Sequence, residues 1–389
     1  MSYLVSAEKC TGCFACVVAC PKGAITFTQD SLGNIYPEVH KELCIRCGKC
    51  QKVCPEQNLP LFHNPQKAFA VWSLDPESRR SSASGGAAAE FYAEALEKGY
   101  WICGAEYSTD GSVVHTLSRE STAIQRYKQS KYVYSEAHVV YRKIKQLLEQ
   151  GDSVLIISLP CKVAGLLSYL GKHYDNLLTV DIVCHGTPSG LLLQQHISEV
   201  AHISDNFRLQ FRQDNQFQFC VESDGKILYK RIGKEDTYLA AFLEGLSYRD
   251  SCYQCSYAKP QRISDITICD FWGIGQEVPF NHPYTGSISA VLLNTEKGSN
   301  FFESSKKKLF SEERPVTEAI SGNAQLNAPT TVHPMREAFV KGCSKDGFER
   351  SVAFLLKDQI QAARWENKRN RMHTLFRQVA RSVLKRHKG

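Results

Sequence analysis

Sixteen cysteines stand in this chain of 389 residues, and eight of them fall into two runs of identical spacing. The first is Cys10-x2-Cys13-x2-Cys16-x3-Cys20, followed by Pro21. The second, Cys44-x2-Cys47-x2-Cys50-x3-Cys54 with Pro55, repeats it 34 residues later. Thiolates at this spacing hold 4Fe-4S clusters in pairs, the fourth cysteine of each run crossing to the other cluster. The expected ligand sets are Cys10, Cys13, Cys16 and Cys54 for one cluster, and Cys44, Cys47, Cys50 and Cys20 for the other. Zinc ribbons use two separated pairs instead, and disulfide frameworks belong to short secreted chains. Two such clusters carry electrons one at a time.

Four more cysteines stand where a further centre is expected. Ser153 to Ser158 reads as an apolar strand, Val163 to Leu170 as a helix, Leu177 to Val183 as a second strand and Leu191 to Val200 as a second helix. That order implies parallel strands joined by a right-handed crossover. Cys161 and Cys184 each follow one of these strands, and open parallel sheets bind ligands beyond the carboxyl ends of their strands. Cys252-x2-Cys255 adds a spaced pair after a helix over Tyr238 to Leu243. Four cysteines so placed suit one more metal centre, while buried packing, zinc or a dithiol are the competing readings. Cys103, Cys220, Cys269 and Cys343 have no spaced partner and read as packing residues.

The elements around these residues define the organisation. Residues 1–60 form a ferredoxin module and Asn58 to Pro65 a linker. A strand over Ala68 to Ser73, a helix over Gly86 to Lys98, a hairpin turning at Asp110-Gly111 and a helix over Glu136 to Gln150 follow. Phe207 to Phe211, Phe217 to Glu222 and Lys226 to Lys230 alternate as an antiparallel meander, and Ile263 to Ile268 and Ile288 to Asn294 supply further strands. The fold class expected is α+β: a bacterial-ferredoxin-like domain, then a mixed α/β domain over 61–350 that carries the four further cysteines, then a helical basic tail over 351–389.

Charge and hydropathy narrow the setting. Of the net +7, the segment from Lys357 to Gly389 contributes +8, so the rest of the chain is near neutral. Arg369, Arg371, Arg377, Arg381, Lys385 and Arg386 surround Met372, Leu375, Phe376, Val379, Val383 and Leu384 at helical spacing. A basic amphipathic helix suits an anionic membrane surface or an acidic partner, or packs back on the protein. Nucleic acid is disfavoured because no recognition module accompanies the charge. No basic and apolar leader precedes Cys10, and the apolar stretch from Val154 to Leu170 is broken by Pro160 and Lys162. We therefore expect a cytoplasmic protein, peripheral at the inner membrane face if the tail binds lipid.

Five ordered motifs carry a resemblance. Ser82-Ala83-Ser84-Gly85-Gly86, Gln129 to Ser135, Leu159-Pro160-Cys161-Lys162-Val163-Ala164-Gly165-Leu166, Asp181 to Ser189, and Cys252-x2-Cys255 with Arg262 to Ile274 together resemble the family of coenzyme F420 hydrogenase/dehydrogenase beta subunits. The likeness, to the version with an N-terminal two-cluster ferredoxin domain, covers residues 1 to about 295. It implies an oxidoreductase with FAD, and a third 4Fe-4S cluster on Cys161, Cys184, Cys252 and Cys255. Electrons would pass between a small two-electron donor or acceptor, coenzyme F420 or another, and a soluble ferredoxin or other redox protein. An electron-transfer subunit with no substrate of its own is the alternative. Where the family has Gly-Thr-Pro-Cys, this chain has Ser158-Leu159-Pro160-Cys161.

The flavin candidates follow from the resemblance. Ser82, Ser84, Gly85 and Gly86 open a helix whose free N–H groups suit a pyrophosphate, or simply cap it. Lys131 would set a cation beside the flavin, or face solvent. Asp270, Phe271, Trp272 and Gly273 would wall the pocket, or pack as core. His185, beside Cys184, tunes the cluster, relays a proton or is structural.

Overall fold

The computed structural model describes residues 4–108, 110–203, 207–213 and 216–386, with side chains to 372. Its central feature is a nine-stranded mixed sheet. In spatial order the strands are Leu309–Arg314, Lys67–Ser73, Ser289–Leu293, Ile266–Asp270, Leu177–Ile182, Val154–Ser158, Trp101–Tyr107, Val113–Ser118 and Ser135–Glu136. The four strands from Ile266–Asp270 to Trp101–Tyr107 are mutually parallel. Buried on both faces, they read as continuous apolar runs such as Val154-Leu155-Ile156-Ile157. Ser158, Ile182 and Asp270 therefore end on one edge of the sheet.

Helices cover both faces. Ala87–Glu97 and Glu296–Ser305 pack through Phe91, Phe301 and Phe302 on one side. On the other, Tyr141–Glu149 and Pro160–Leu170 bury Tyr141, Ile144 and Leu166 together with Cys13 and Ala15 of the ferredoxin module. That module has one hairpin, Ile25–Gln29 with Ile35–Val39, and the short helices Ala15–Ala19 and Lys49–Lys52. The meander Phe207–Gln213, Gln216–Ser223, Lys226–Ile232 is a separate antiparallel sheet. It shares its core with Thr237–Leu243 and Phe348–Leu355.

Three boundaries differ from expectation. Ser135 and Glu136 are not helical; they pair in parallel with Val113 and Val114, and the helix begins only at Tyr141. An available sheet edge outweighs local helix propensity there. The helix expected from Val163 starts at Pro160, since proline is preorganised for a first turn, so Cys161 lies inside it. The strand expected from Ile263 starts at Ile266, after Arg262 has bridged to His63.

The tail is one helix, Lys357–Arg386. Ile360 is buried, Asn367 donates to the Ile232 carbonyl at 3.1 Å, and Trp365 and Met372 are exposed. Leu375, Phe376, Val379, Val383 and Leu384, and the basic residues from Arg377 onward, lie outside the described side chains. Among the described residues no helix is long and apolar enough to cross a membrane.

Candidate redox site

The two cysteine runs are brought together in the crossed arrangement. Cys10, Cys13, Cys16 and Cys54 are all buried neighbours. Cys20 joins Cys44, Cys47 and Cys50 around a cavity of 230 Å³. Cys47 is exposed, with Leu43 and Ile45 beside it also exposed.

Cys161, Cys184, Cys252 and Cys255 line one small cavity of 40 Å³ with Thr11, Pro160 and Thr187. The fold positions each differently. Cys161 rides the first turn of a helix, Cys184 follows a parallel strand, and the spaced pair lies on and just after the 3-10 turn Asp250–Gln254. Gly186 allows the chain to turn there: its φ is +144, and a Cβ would lie 2.3 Å from the Tyr248 ring. Burial pushes all four thiols up, and neighbouring thiols raise Cys161, Cys184 and Cys255 further. Without metal these groups therefore stay protonated, and metal ligation would release their protons. Among the described residues no three Cys, His, Asp or Glu side chains close around a single ion.

A larger cavity of 270 Å³ lies along the carboxyl edge of the sheet. Leu159, Cys184, His185, Gly186 and Thr187 line both it and the four-thiol cavity. Of the flavin candidates, Ser82, Ser84, Gly86, Lys131, Asp270 and Trp272 line it. Gly85 stands behind the wall: a Cβ would lie 2.4 Å from the Val71 carbonyl and 2.7 Å from the Ser289 nitrogen, so its role is close packing. Phe271 is core, and Gly273 packs on the Glu318 backbone. Cys269, expected as a packing residue, also faces the cavity.

The cavity's polar lining is specific. Gly86 caps the helix Ala87–Glu97 in the left-handed region and leaves its first N–H groups free of any side-chain cap. Lys128 Nζ donates to Ser81 Oγ at 3.0 Å, and Gln129 Nε2 to the Ser81 carbonyl at 2.6 Å. Lys131 Nζ donates to the Lys128 carbonyl at 2.9 Å; burial lowers its pKa to about 8. His115 stands 2.8 Å from Ser158 Oγ and is drawn down to about 3, first by burial and then by Lys162 and Lys131, so it is neutral. Arg212 pairs with Asp270 at 2.5 Å under Trp272 and Phe217.

Sequence reasoning missed Arg212, His115 and Arg249. Nothing marks Arg212 or His115 within an alternating strand. Arg249 sits just before Cys252-x2-Cys255 and points back to the ferredoxin module, its Nε 2.6 Å from the Cys10 carbonyl and its Nη2 2.8 Å from that of Ile35.

The profile for the C terminus of the coenzyme F420 hydrogenase/dehydrogenase beta subunit matches residues 151–319, and 4Fe-4S dicluster domain profiles match 9–58 and 36–105. The F subunit of F(420)H(2) dehydrogenase from Methanosarcina mazei is 19% identical over 375 residues, covering 90% of this chain and 96% of that protein. A ferredoxin-like protein from the nif region of Rhizobium leguminosarum is 34% identical over 64 residues, 15% of this chain and 92% of that protein. A chain of the F420-reducing NiFe hydrogenase complex from Methanosarcina barkeri aligns at a TM-score of 0.46 and 16% identity, covering 76% of this chain and 92% of the other. The chain is an iron–sulfur protein related to subunits of oxidoreductase complexes. Residues 151–319 match the C-terminal domain of the coenzyme F420 hydrogenase/dehydrogenase beta subunit, and an N-terminal 4Fe-4S dicluster domain precedes them.

Proposed function

We propose that this chain is a flavin-dependent oxidoreductase that exchanges two electrons with coenzyme F420 or another organic molecule and single electrons with a redox protein. The reading rests above all on one adjacency: the four-thiol cavity shares Cys184, His185, Gly186 and Thr187 with the larger cavity. On its other side, the helix bearing Cys161 places Gly165 against Cys13. In our reading electrons pass from the large cavity through these thiol sets toward exposed Cys47.

FAD, when bound, supplies the conversion between two-electron and one-electron chemistry. In our reading Ser82, Ser84 and the free N–H groups after Gly86 hold its pyrophosphate, with Lys128 and Lys131 supplying positive charge. Cys161, Cys184, Cys252 and Cys255 hold a third 4Fe-4S cluster; four thiols lining one cavity beside the ferredoxin thiols suit such a cluster. Exposed Leu43 and Ile45 beside Cys47 offer a redox partner an apolar landing. The basic tail helix would add a second contact, to an acidic partner or an anionic membrane.

Anaerobic purification with iron and flavin quantification tests this. We expect about twelve irons and one FAD per chain, and Cys161→Ser should lower iron by about four. Absence of flavin, or iron near eight that Cys161→Ser leaves unchanged, defeats the reading. Turnover of the isolated chain with a two-electron donor and an artificial one-electron acceptor separates it from a subunit without its own substrate.

A further inference from the structure

Arg212 enters the large cavity from the meander, on the strand Phe207–Gln213. Only 3% of it is exposed. One nitrogen, Nη1, is committed to Asp270 Oδ2 at 2.5 Å. Nε and Nη2 are buried without a well-formed hydrogen bond, although the Tyr132 side chain stands beside the guanidinium as a hydrogen-bonding neighbour, and the other carboxylate oxygen of the pair, Asp270 Oδ1, is equally buried and unpaired. Three unsatisfied polar atoms in one buried ion pair are unusual, because each costs the desolvation of a strong hydrogen-bonding group. Nε and Nη2 form the side-on edge of the guanidinium, two parallel N–H groups that match two oxygens of one carboxylate or phosphate. The Asp270 oxygen beside them accepts a hydrogen bond, so it calls for a hydroxyl or amine on the same ligand. Trp272, Phe217 and Tyr132 flank the pair, the first with 51% of its surface exposed.

We infer that Arg212 and Asp270 form a specificity subsite for an organic partner bearing an oxyanion, carboxylate or phosphate, with a neighbouring hydroxyl or amino group. The inference rests on reading this cavity as the place where a two-electron organic molecule meets the protein. Arg212 grips the oxyanion through Nε and Nη2, and Asp270 selects the donor beside it. A molecule lacking the oxyanion leaves the fork unfilled, and one lacking the donor leaves Asp270 Oδ1 unpaired.

Calorimetric titration of the anaerobically purified holoprotein tests the subsite without turnover. Glycolate, propionate and inorganic phosphate serve as probes. Saturable binding is expected for glycolate or phosphate, the tighter of the two naming the oxyanion, with glycolate at least tenfold tighter than propionate if the carboxylate is preferred. Arg212→Lys keeps the charge and removes the fork; it should weaken binding at least tenfold with iron and flavin contents unchanged. Should that variant not fold, the neutral pair Arg212→Gln/Asp270→Asn carries the same comparison. No saturable heat with either anion, or unchanged affinity in the variant, overturns the inference. Loss of flavin from Arg212→Lys overturns it as well, by placing the guanidinium on the flavin. The titration reads the same in flavin-free protein, so failure of the flavin reading is seen separately.

Discussion

Lys162 Nζ lies 2.6 Å from the carbonyl oxygen of Gly12, joining the helix that bears Cys161 to the loop between Cys10 and Cys13. The ammonium is 1% exposed, and it also sits over the Tyr134 ring, whose hydroxyl donates to the same carbonyl at 2.7 Å. Arg249 repeats the device from the other side through the Cys10 carbonyl. Two buried cations thus fix the ferredoxin module to the sheet domain at the point where two sets of thiols approach each other. A cluster gains negative charge on reduction, so the cations also favour its reduced state.

Lys162→Met tests both roles. A hydrogen bond from a charged donor contributes about 2 kcal/mol, so stability in chemical denaturation should fall by about that much. The midpoint potential of the cluster nearest Gly12 should move negative, because the reduced form loses a neighbouring cation. Potentiometric titration followed by electron paramagnetic resonance reads the shift; a midpoint that stays put or rises removes the electrostatic role.

Gly165 is the second joint. In the helix Pro160–Leu170 a Cβ at this position would lie 2.6 Å from Cys13 Cβ, 2.8 Å from the Tyr141 hydroxyl and 3.0 Å from Cys13 Sγ. Alanine favours a helix by about 1 kcal/mol over glycine, while overpacking costs about 1–3 kcal/mol. The clash should win, because one of the displaced atoms is a thiol that must keep a fixed place. Gly165→Ala is expected to lose about four irons per chain while Cys184→Ser loses the neighbouring set instead. Full iron content with an unchanged melting temperature would remove Gly165 as a joint.

Legibility in the sequence followed the strength of the local constraint. The eight ferredoxin cysteines were readable because ligation by neighbouring residues imposes a fixed spacing, and the crossed neighbours Cys20 and Cys54 came with it. Cys161 and Cys184 were readable as strand-end residues, since parallel strands terminate on one edge. Asp270 lies on that edge too, but its partner Arg212 comes from another sheet, 58 residues earlier, where arginine at an alternate strand position looks like any solvated side chain. Gly85 carried the opposite lesson. It stands within a motif whose serines face the cavity, yet what demands glycine is the Val71 carbonyl behind it. Ser135 and Glu136 joined a sheet edge that no local pattern announces.

His196 supplies a pH-dependent hold on the C-terminal helices. It is fully buried in Gly190–Val200, with Nε2 2.9 Å from Asp236 and Nδ1 2.5 Å from Glu349. Asp236 caps Thr237–Leu243 and accepts from Tyr229, while Glu349, in Phe348–Leu355, accepts from Thr237 at 2.6 Å. Burial opposes the imidazolium, but Asp236 and then Glu349 outweigh it and raise its pKa to about 9. A folded-state pKa above the unfolded value of about 6.5 stabilises the fold fully below that pH. The contribution, on the order of 3 kcal/mol, is lost as pH rises through about 9. Urea unfolding between about pH 6.5 and 9.5 should therefore show declining stability. His196→Gln should start lower and lie flatter, because its neutral amide has no proton to lose and leaves two carboxylates facing each other. A wild-type slope that survives this substitution would assign the decline to other groups.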